Sequence, residues 1–188
     1  MKLDENFSLK RYGLEVRLVN EQDAEFIVKL RTHPKLSRYI HRTENDIEKQ
    51  KTWIRAYKER EKAGEEYYFI FHKNLTPLGL IRLYNIQEET FTTGSWVFDP
   101  DAPYEASIFG VLIANSIGFE MLGKKVSVSP DGVNENNKSV VKFHKMIGRE
   151  FTGKIFDKEI GEYYYTTQLT KENFLKNRAK LERLLIQE

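Results

Sequence analysis

The chain has 188 residues, of which 40% are hydrophobic and 31% are charged, and its formal net charge at pH 7 is +2. This composition is typical of a globular protein, and the length suits one domain over 1–188 with its core at about 14–170. The small net charge gives no support for nucleic-acid binding, which would require a basic stripe on one face. The absence of cysteine excludes disulfides, thiolate metal sites and a cysteine acyl-enzyme.

The sequence also lacks the signals of a membrane or exported protein. No apolar segment reaches the roughly 18 residues that a membrane-spanning helix needs, and the first residues contain no apolar signal-peptide core. We therefore expect a cytoplasmic monomer or homodimer with no membrane partner.

The first third of the chain predicts one strand followed by two helices. Apolar and polar side chains alternate from Leu14 to Val19, which indicates a half-buried strand. A short helix is predicted at about 22–31, and Pro34 prevents it from continuing. A longer helix is predicted from Thr43 to Gly64, because the first residues resemble an N-terminal capping box and glycine favours a helix end.

Three strands and a long helix are predicted next. Aromatic and β-branched residues are concentrated at 67–71, 78–86 and 90–98, and turn residues separate these segments. These features predict an antiparallel meander. A connection that contains two prolines then leads to a helix at about 104–122, which Gly123 ends.

The last third predicts strands and helices in alternation. A short strand at 125–129 precedes a helix at 136–147, two strands at 150–156 and 162–169, and a charged helix from Lys171. The order β-α-α-β-β-β-α-β-α-β-β-α is neither a regular βαβ alternation nor an all-β pattern. It predicts an α/β (α+β) fold, in which a mixed sheet of about seven strands carries helices on both faces.

Small residues recur along the helix at 104–122. Ala106, Gly110, Ala114 and Gly118 are spaced four residues apart and form one stripe with almost no side chain. Two interior glycines each cost about 0.5–1 kcal/mol relative to alanine, so some contact must offset that cost. Close packing on the sheet is one explanation. The other is a ligand that approaches the helix N-terminus, where free N–H groups favour phosphate.

An asparagine-rich segment, 133–140, precedes the next helix. Asparagines in such a position supply helix caps and turns, which is one sufficient explanation for them. The helix contains His144, four residues before Gly148. A single helical histidine is either a packed or surface residue or an acid–base group.

Several of these segments together resemble a known family. A strand that ends in WVFDP, a helix that opens at EAS, a short strand, and the pattern N-x-x-V-x-x-F-H-x-x-x-G before another strand resemble GCN5-related N-acetyltransferases, or GNATs. The resemblance is strongest to the branch of ribosomal-protein and aminosugar acetyltransferases. The segments LRTHPKLSRYI and IEKQKTWI of this chain are similar to the first two helices of that branch. The resemblance covers about 14–170. It implies the GNAT fold with a twisted, mostly antiparallel sheet, acetyl-CoA as co-substrate, no metal, and direct attack by a primary amine.

The resemblance also implies which residues contact the coenzyme. The backbone of Val97 and Phe98 would face the acyl carbonyl and the pantetheine arm. The turn after them would place amides around the CoA pyrophosphate, and the positions concerned are Asp101, Ala102, Tyr104, Glu105, Ala106 and Ser107.

Further positions are implied on the helix at 136–147. Asn137 matches the asparagine that contacts the pantetheine arm, and Ser139 and Phe143 would lie beside the coenzyme. His144 matches a position where many family members have a tyrosine near the thioester sulfur. There it could protonate the departing thiolate, because imidazole has an unperturbed pKa near 6.5.

The pyrophosphate turn departs from the family pattern, which is Arg/Gln-x-x-Gly-x-Gly/Ala. Residues 99–105 read DPDAPYE, with no glycine, two prolines and three carboxylates. Prolines remove N–H donors, and carboxylates repel a pyrophosphate. Three outcomes are open: CoA binds weakly, a nearby cation compensates, or the chain is a non-catalytic binding module.

A basic segment between the first two helices is the candidate acceptor site. Arg38, Tyr39, His41 and Arg42 lie in this segment, which borders the acceptor groove in the family and could equally be a solvated surface. If it faces the groove, it favours a small anionic acceptor such as an aminosugar nucleotide. Ribosomal-type protein N-terminal acetylation is the alternative. Glu88 and Glu89 are candidate general bases, although solvation of a loop explains them equally well.

Overall fold

The computed structural model describes residues 1–40 and 43–186, and its central feature is one sheet of eight strands. The strand order is β1-β2-β3-β4-β5-β6-β8-β7, and every neighbouring pair is antiparallel except the parallel pair β5–β6. The strands are β1 (Ser8–Arg11), β2 (Leu14–Leu18), β3 (Tyr67–Lys73), β4 (Thr76–Tyr84), β5 (Thr90–Phe98), β6 (Val126–Asn134), β7 (Glu150–Asp157) and β8 (Glu162–Thr170). The predicted mixed, mostly antiparallel sheet is confirmed, and β1 is a short edge strand that the sequence did not reveal.

Five α-helices accompany the sheet in the described residues. They are α1 (Ala24–Thr32), α2 (Ile47–Ala63), α3 (Tyr104–Ser116), α4 (Lys138–Met146) and α5 (Lys171–Leu185). A π-helical turn, Ile117–Met121, extends α3, so the predicted helix at 104–122 is one continuous element with two geometries. None of the described helices combines the length and the apolar character that a membrane crossing requires.

Side chains on β3 show how the sheet separates two layers of core. Tyr67, Phe69 and Phe71 point toward the layer that contains α3 and α5, whereas Tyr68 and Ile70 point toward α1 and α2. This alternation follows from the two-residue period of a strand. Both faces of the sheet are therefore covered by helices, as predicted.

The glycines of α3 accommodate aromatic rings from β5. A Cβ atom on Gly110 would lie 2.5 Å from Cζ of Phe98, and one on Gly118 would lie 2.4 Å from Cζ of Phe91. Both distances are far below van der Waals contact, so only glycine lets the rings fit under the helix. Close packing on the sheet therefore explains the stripe, and the glycines themselves mark no ligand site.

Two irregularities in β5 position the functional region. The register between β5 and β6 ends at Phe91↔Ser127, so the two strands separate toward the C-terminal end of β5. The register between β4 and β5 shifts between Leu80 and Arg82, opposite Ser95, whose φ is 50°. This β-bulge adds one residue to β5, so both Gly94 and Ser95 face the α1/α2 side. The sheet is therefore open on one side of β5 and bent on the other.

Candidate active site

The opening between β5 and β6 is the place in the described structure that suits a long, narrow coenzyme arm. Trp96 on β5 and Phe143 on α4 lie across it, with ring centroids 5.0 Å apart. No residue of β5 beyond Phe91 is in register with a residue of β6. Because backbone N–H and C=O groups need hydrogen-bonding partners, this strand edge can bind the amides and carbonyls of a pantetheine arm. The opening therefore fits the coenzyme that the sequence implies.

Residues 99–105 form the turn that connects β5 to α3, where the pyrophosphate was predicted. The turn is closed internally: the Asp99 carboxylate accepts from the amide of Asp101 at 3.0 Å, and the Asp99 carbonyl accepts from the amide of Ala102 at 2.9 Å. Pro100 and Pro103 have no N–H. The turn therefore uses two of its own donors to hold its shape.

Two amides of the turn remain for an anion. Tyr104 and Glu105 begin α3, and their N–H groups are not used within the turn, whereas the amide of Ala106 donates to the Pro103 carbonyl at 2.9 Å. The hydroxyl of Ser107 donates to the Tyr104 carbonyl at 3.2 Å. The helix N-terminus adds a favourable dipole for a phosphate. Of the predicted pyrophosphate site, the free donors that remain are therefore the amides of Tyr104 and Glu105 at the N-terminus of α3.

A cation reduces the negative charge of this turn. The Lys29 ammonium on α1 lies 3.0 Å from Asp99 Oδ2. The pKa of Asp99 is lowered, first by the hydrogen bond from the Asp101 amide and also by Lys29 and His33. Asp99 is therefore ionised and paired, whereas Asp101 at the tip is exposed. The sequence left open whether a nearby cation compensates the three carboxylates of the turn. Lys29 does so for Asp99.

The other predicted coenzyme residues lie on both sides of the opening. Val97 and Phe98 are buried in opposite core layers, so only their backbone can face a ligand. The side-chain oxygen of Asn137 accepts from the Val140 amide at 3.4 Å and caps α4, and its NH₂ group takes no part in this cap. Ser139 is exposed on the first turn of α4, and Phe143 is buried on the same helix. Phe143 contacts Trp96 across the opening, and coenzyme binding by these residues stays a prediction.

His144 lies on α4 in a largely buried, electropositive environment. Its Nδ1 atom is buried and has no hydrogen-bond partner in the described structure. Burial, and secondarily the charge of Arg149, lower the pKa of His144 to about 3. The ring is therefore neutral at pH 7, because the imidazolium form is populated only in strong acid. This corrects the predicted chemistry: the residue has no extra proton to transfer, although a neutral ring can still donate its N–H.

Arg149 is the buried charge beside His144. It is 7% exposed, and its Nη2 donates to Ser127 Oγ at 2.7 Å while its Nη1 donates to Thr167 Oγ1 at 3.3 Å. Ser127 Oγ lies 3.4 Å from Thr93 Oγ1, which donates to Asn115 Oδ1 at 3.3 Å. This hydrogen-bonded group lies under the point where β5 and β6 separate. We call it the inner polar cluster.

A cavity of about 280 Å³ lies on the opposite face of the sheet, between β3–β5 and the two N-terminal helices. Its floor includes Tyr68 on β3, Arg82 on β4 and Ser95 at the bulge of β5. The full lining is Arg31, Thr43, Glu44, Asp46, Lys49, Gln50, Trp53, Tyr68, Arg82 and Ser95. Because Ser95 belongs to the strand that borders the opening, the cavity and the opening meet at β5. An acceptor amine in the cavity could thus reach an acyl group in the opening.

Arg82 gives this cavity a positive floor. Its guanidinium lies 4.5 Å from the ring centroid of Tyr84 and 5.8 Å from that of Trp53. Its Nε is buried and has no hydrogen-bond partner, and within the described ranges it forms no ion pair. The cavity carboxylates are already engaged, since Glu44 pairs with Lys49 and Asp46 accepts from the Lys49 amide at 3.0 Å. Arg82 is therefore available to an anionic ligand.

The predicted acceptor residues lie at the edge of this region. Arg38 and Tyr39 form a short 3₁₀ turn, Ser37–Tyr39, and the Tyr39 hydroxyl donates to the Asn136 carbonyl at 3.4 Å. This contact joins the α1–α2 connection to the loop before α4, and neither residue lines the cavity. His41 and Arg42, which were predicted with them, lie outside the described residues. Acceptor binding by this group stays a prediction.

Glu88 and Glu89, the candidate bases, lie at the opposite end of β5 from the coenzyme turn. Glu89 pairs with Lys125 where β5 and β6 are still joined. β5 has nine residues and spans about 30 Å at strand spacing, so this loop is far from the coenzyme turn. A role for Glu88 or Glu89 as a general base stays a prediction.

Several site residues were missed at the level of sequence, although two of them left a signal. Arg82 is the one charged residue in the apolar strand LGLIRLY, and a charge in such a strand requires a buried partner or a ligand. The Gly-Ser pair at 94–95 interrupts a strand and indicates a bulge. Trp53 and Arg149 left no such signal. Among the described residues, no group of three or more His, Asp or Glu side chains is placed to hold a metal ion.

Comparison with protein families and solved structures agrees with this geometry. A model of the acetyltransferase (GNAT) domain matches residues 14–107, half of the chain. The chain is 35% identical to FdhC, described as a nucleotide-linked sugar GNAT, whose apo structure superposes with a TM-score of 0.80 over 96% of this chain and 99% of that one. No curated protein sequence matches the chain.

More distant structures share the fold. The ribosomal-protein-S5-alanine acetyltransferase of Vibrio fischeri is 14% identical, with a TM-score of 0.75 over 90% of this chain and 99% of that one. The spermidine N-acetyltransferase of Vibrio cholerae, solved with CoA and spermine, is 14% identical, with a TM-score of 0.74 over 88% and 99%. The chain belongs to the GNAT family and is an acetyl-CoA-dependent N-acetyltransferase.

Proposed function

We propose that this enzyme acetylates the primary amine of a nucleotide-linked amino sugar. The observation that carries the proposal is Arg82, a guanidinium on the cavity floor with aromatic neighbours and no carboxylate partner in the described structure. Arginine binds phosphate oxygens through paired hydrogen bonds. The likeness to a nucleotide-linked sugar GNAT at 35% identity supports the same class of acceptor.

The cavity suits an acceptor that combines a ring, an amine and a negative charge. Its volume of about 280 Å³ is enough for the sugar end, with the nucleotide extending through the mouth. Trp53 and Tyr68 provide apolar surface, and Arg82 provides the charge. A polyamine would meet this guanidinium with unfavourable repulsion. The cavity therefore favours an anionic acceptor over a cationic one.

We assign coenzyme-binding roles to the chain's own residues on the same basis. Bound acetyl-CoA supplies an activated thioester carbonyl. Backbone groups of Val97 and Phe98 would face it, the amides of Tyr104 and Glu105 would receive the pyrophosphate, and Asn137 would face the pantetheine arm. The neutral ring of His144 would donate an N–H hydrogen bond at the inner end of the opening, provided that its proton is on the nitrogen that faces the coenzyme.

The test is a panel of acceptors at saturating acetyl-CoA, with thiol release as the readout. The panel contains a nucleoside-diphosphate-linked amino sugar, the same amino sugar free, spermidine, and a peptide with N-terminal alanine. One charge-assisted hydrogen-bonded contact is worth about 1.5–3 kcal/mol, so we expect roughly 10- to 150-fold higher kcat/KM for the nucleotide-linked sugar than for the free sugar. A higher kcat/KM for spermidine or the peptide would refute the proposed acceptor.

A further inference from the structure

The inner polar cluster contains a positive charge that has no counter-charge. Arg149 forms hydrogen bonds to Ser127 O, Ser127 Oγ and Thr167 Oγ1, which are all neutral acceptors. Among the residues that the structure describes, no carboxylate forms an ion pair with it. Burial lowers the pKa of Arg149 to about 10, so the guanidinium is still charged at pH 7. Neutral acceptors hold this charge in place without cancelling it.

Burial of an unpaired charge is unfavourable, and proteins usually offset it with an ion pair or a ligand. A second observation points to a missing partner here. The Nδ1 of His144, the residue whose pKa the Arg149 charge helps to lower, is buried and unpartnered. A charge without a counter-charge, directly after α4, and an unpartnered nitrogen on α4 therefore lie close together.

The position of the cluster relates it to the coenzyme. Ser127 is the last residue of β6 in register with β5, and Thr93 on β5 lies 3.4 Å from it, Oγ to Oγ. Arg149 thus lies at the inner end of the opening, whereas the turn at 99–105 lies at the outer end. A coenzyme bound with its phosphates at the turn directs its sulfur inward, toward this charge.

We propose that Arg149 stabilises the thiolate of CoA as it leaves, by its positive charge and through the hydrogen-bonded position that Ser127 and Thr167 give it. In the transfer, the amine nitrogen forms a bond to the acyl carbon and the carbon–sulfur bond breaks. The electron pair of that bond stays on sulfur, and the amine loses its proton to solvent. The sulfur then leaves as an anion, which the nearby positive charge of Arg149 stabilises. A positive charge near a thiol favours the thiolate.

The test measures the thiol pKa of CoA bound to the protein, by ultraviolet absorbance of the thiolate over a pH titration. We expect the bound thiol to titrate at least about one pH unit below free CoA in the same buffer. Arg149→Met should remove this shift, and Arg149→Lys, which retains the charge, should restore at least half of it. Binding of acetyl-CoA, which has no ionisable sulfur, should change less than threefold in either variant.

Each outcome decides the proposal. A bound thiol that titrates at or above the free value in the wild-type protein overturns it, as does wild-type protein that does not bind CoA. An unchanged shift in folded Arg149→Met also overturns it, and thermal unfolding checks that this variant is folded. If Arg149→Met does not fold, the wild-type titration decides alone. The acceptor has no part in these measurements, so the nucleotide-linked sugar can fail while this inference stands.

Discussion

The two ends of the opening between β5 and β6 differ in charge, burial and hydrogen bonding. At the outer end, the turn at 99–105 is acidic, half-buried to exposed, and holds its shape with its own amides. At the inner end, Arg149 is buried and carries a positive charge, and His144 is half-buried with a buried, unpartnered Nδ1. Groups that satisfy one another mark local structure, whereas groups left without partners mark the place of a ligand. We infer that the inner end governs the chemistry and that the outer end contributes little affinity.

The largest expected effect is on the pH dependence of folding stability, which tests whether His144 is buried at the inner end. The pKa of His144 is about 3 when folded and near 6.5 when unfolded. Between these values the unfolded state binds more protons, so stability is complete above pH 6.5 and falls as the pH falls toward 3. At about 1.4 kcal/mol per pH unit, the wild-type protein should lose roughly 2 kcal/mol between pH 6.5 and pH 5 through this residue.

His144→Gln should remove this loss. Urea unfolding at pH 7 and pH 5 should show that the variant gains roughly 2 kcal/mol relative to the wild type on acidification. If the two proteins lose stability in parallel, His144 is hydrated in solution and the inner end is less buried than the structure shows.

A second prediction concerns the aromatic ring that ends β5 just before the turn. Gly110→Ala would force the Phe98 ring away, since the new Cβ would lie 2.5 Å from its Cζ. Overpacking of this kind costs about 1–3 kcal/mol, measurable by thermal unfolding. Gly153→Ala on the exposed strand β7, where the nearest atom is the Thr166 hydroxyl at 3.0 Å, is the control and should cost less. Equal costs in the two variants would mean that the Phe98 ring is loosely packed and does not fix the position at which the turn begins.

The smallest effect is expected at the outer turn. Lys29→Met removes the partner of Asp99, so acetyl-CoA should bind more weakly, but an exposed ion pair is worth at most about 1 kcal/mol and the loss should stay below roughly fivefold. Calorimetric titration measures it. Lys35→Met, at an exposed lysine just after α1, is the control and should have no effect. A loss of 50-fold or more would show that the turn is a principal binding site and would reverse the ranking of the two ends.

More of the fold than of the site could be predicted from the sequence, because the spacing of apolar residues indicates which side chains are buried. The alternation at 14–19 and the aromatic segments at 67–98 predicted four of the eight strands, whereas β1 (Ser8–Arg11) is too short and too exposed to leave a pattern. The separation of β5 from β6 could not be predicted, because it depends on how the two strands pair and leaves no pattern in the sequence of either strand. The acceptor region was predicted at 38–42 from its charge and from the family resemblance, and this stays a prediction. The cavity that we propose for the acceptor is lined in part by Trp53 and Arg82, which are distant in sequence. His144 was found by its position in a motif, and its lowered pKa comes first from burial and then from the Arg149 charge, both of which depend on the fold.

The measurement that tests the proposed acceptor most directly compares wild-type protein with Arg82→Met on two substrates. The ratio of kcat/KM for a nucleotide-linked amino sugar to that for the free amino sugar should fall by roughly 10- to 150-fold in the variant, with the free sugar nearly unchanged. Arg55→Met, an exposed arginine of α2 that pairs with Glu21 outside the cavity, should leave the ratio intact. A ratio that survives Arg82→Met, or a wild-type ratio near one, would contradict recognition of an anionic acceptor in this cavity.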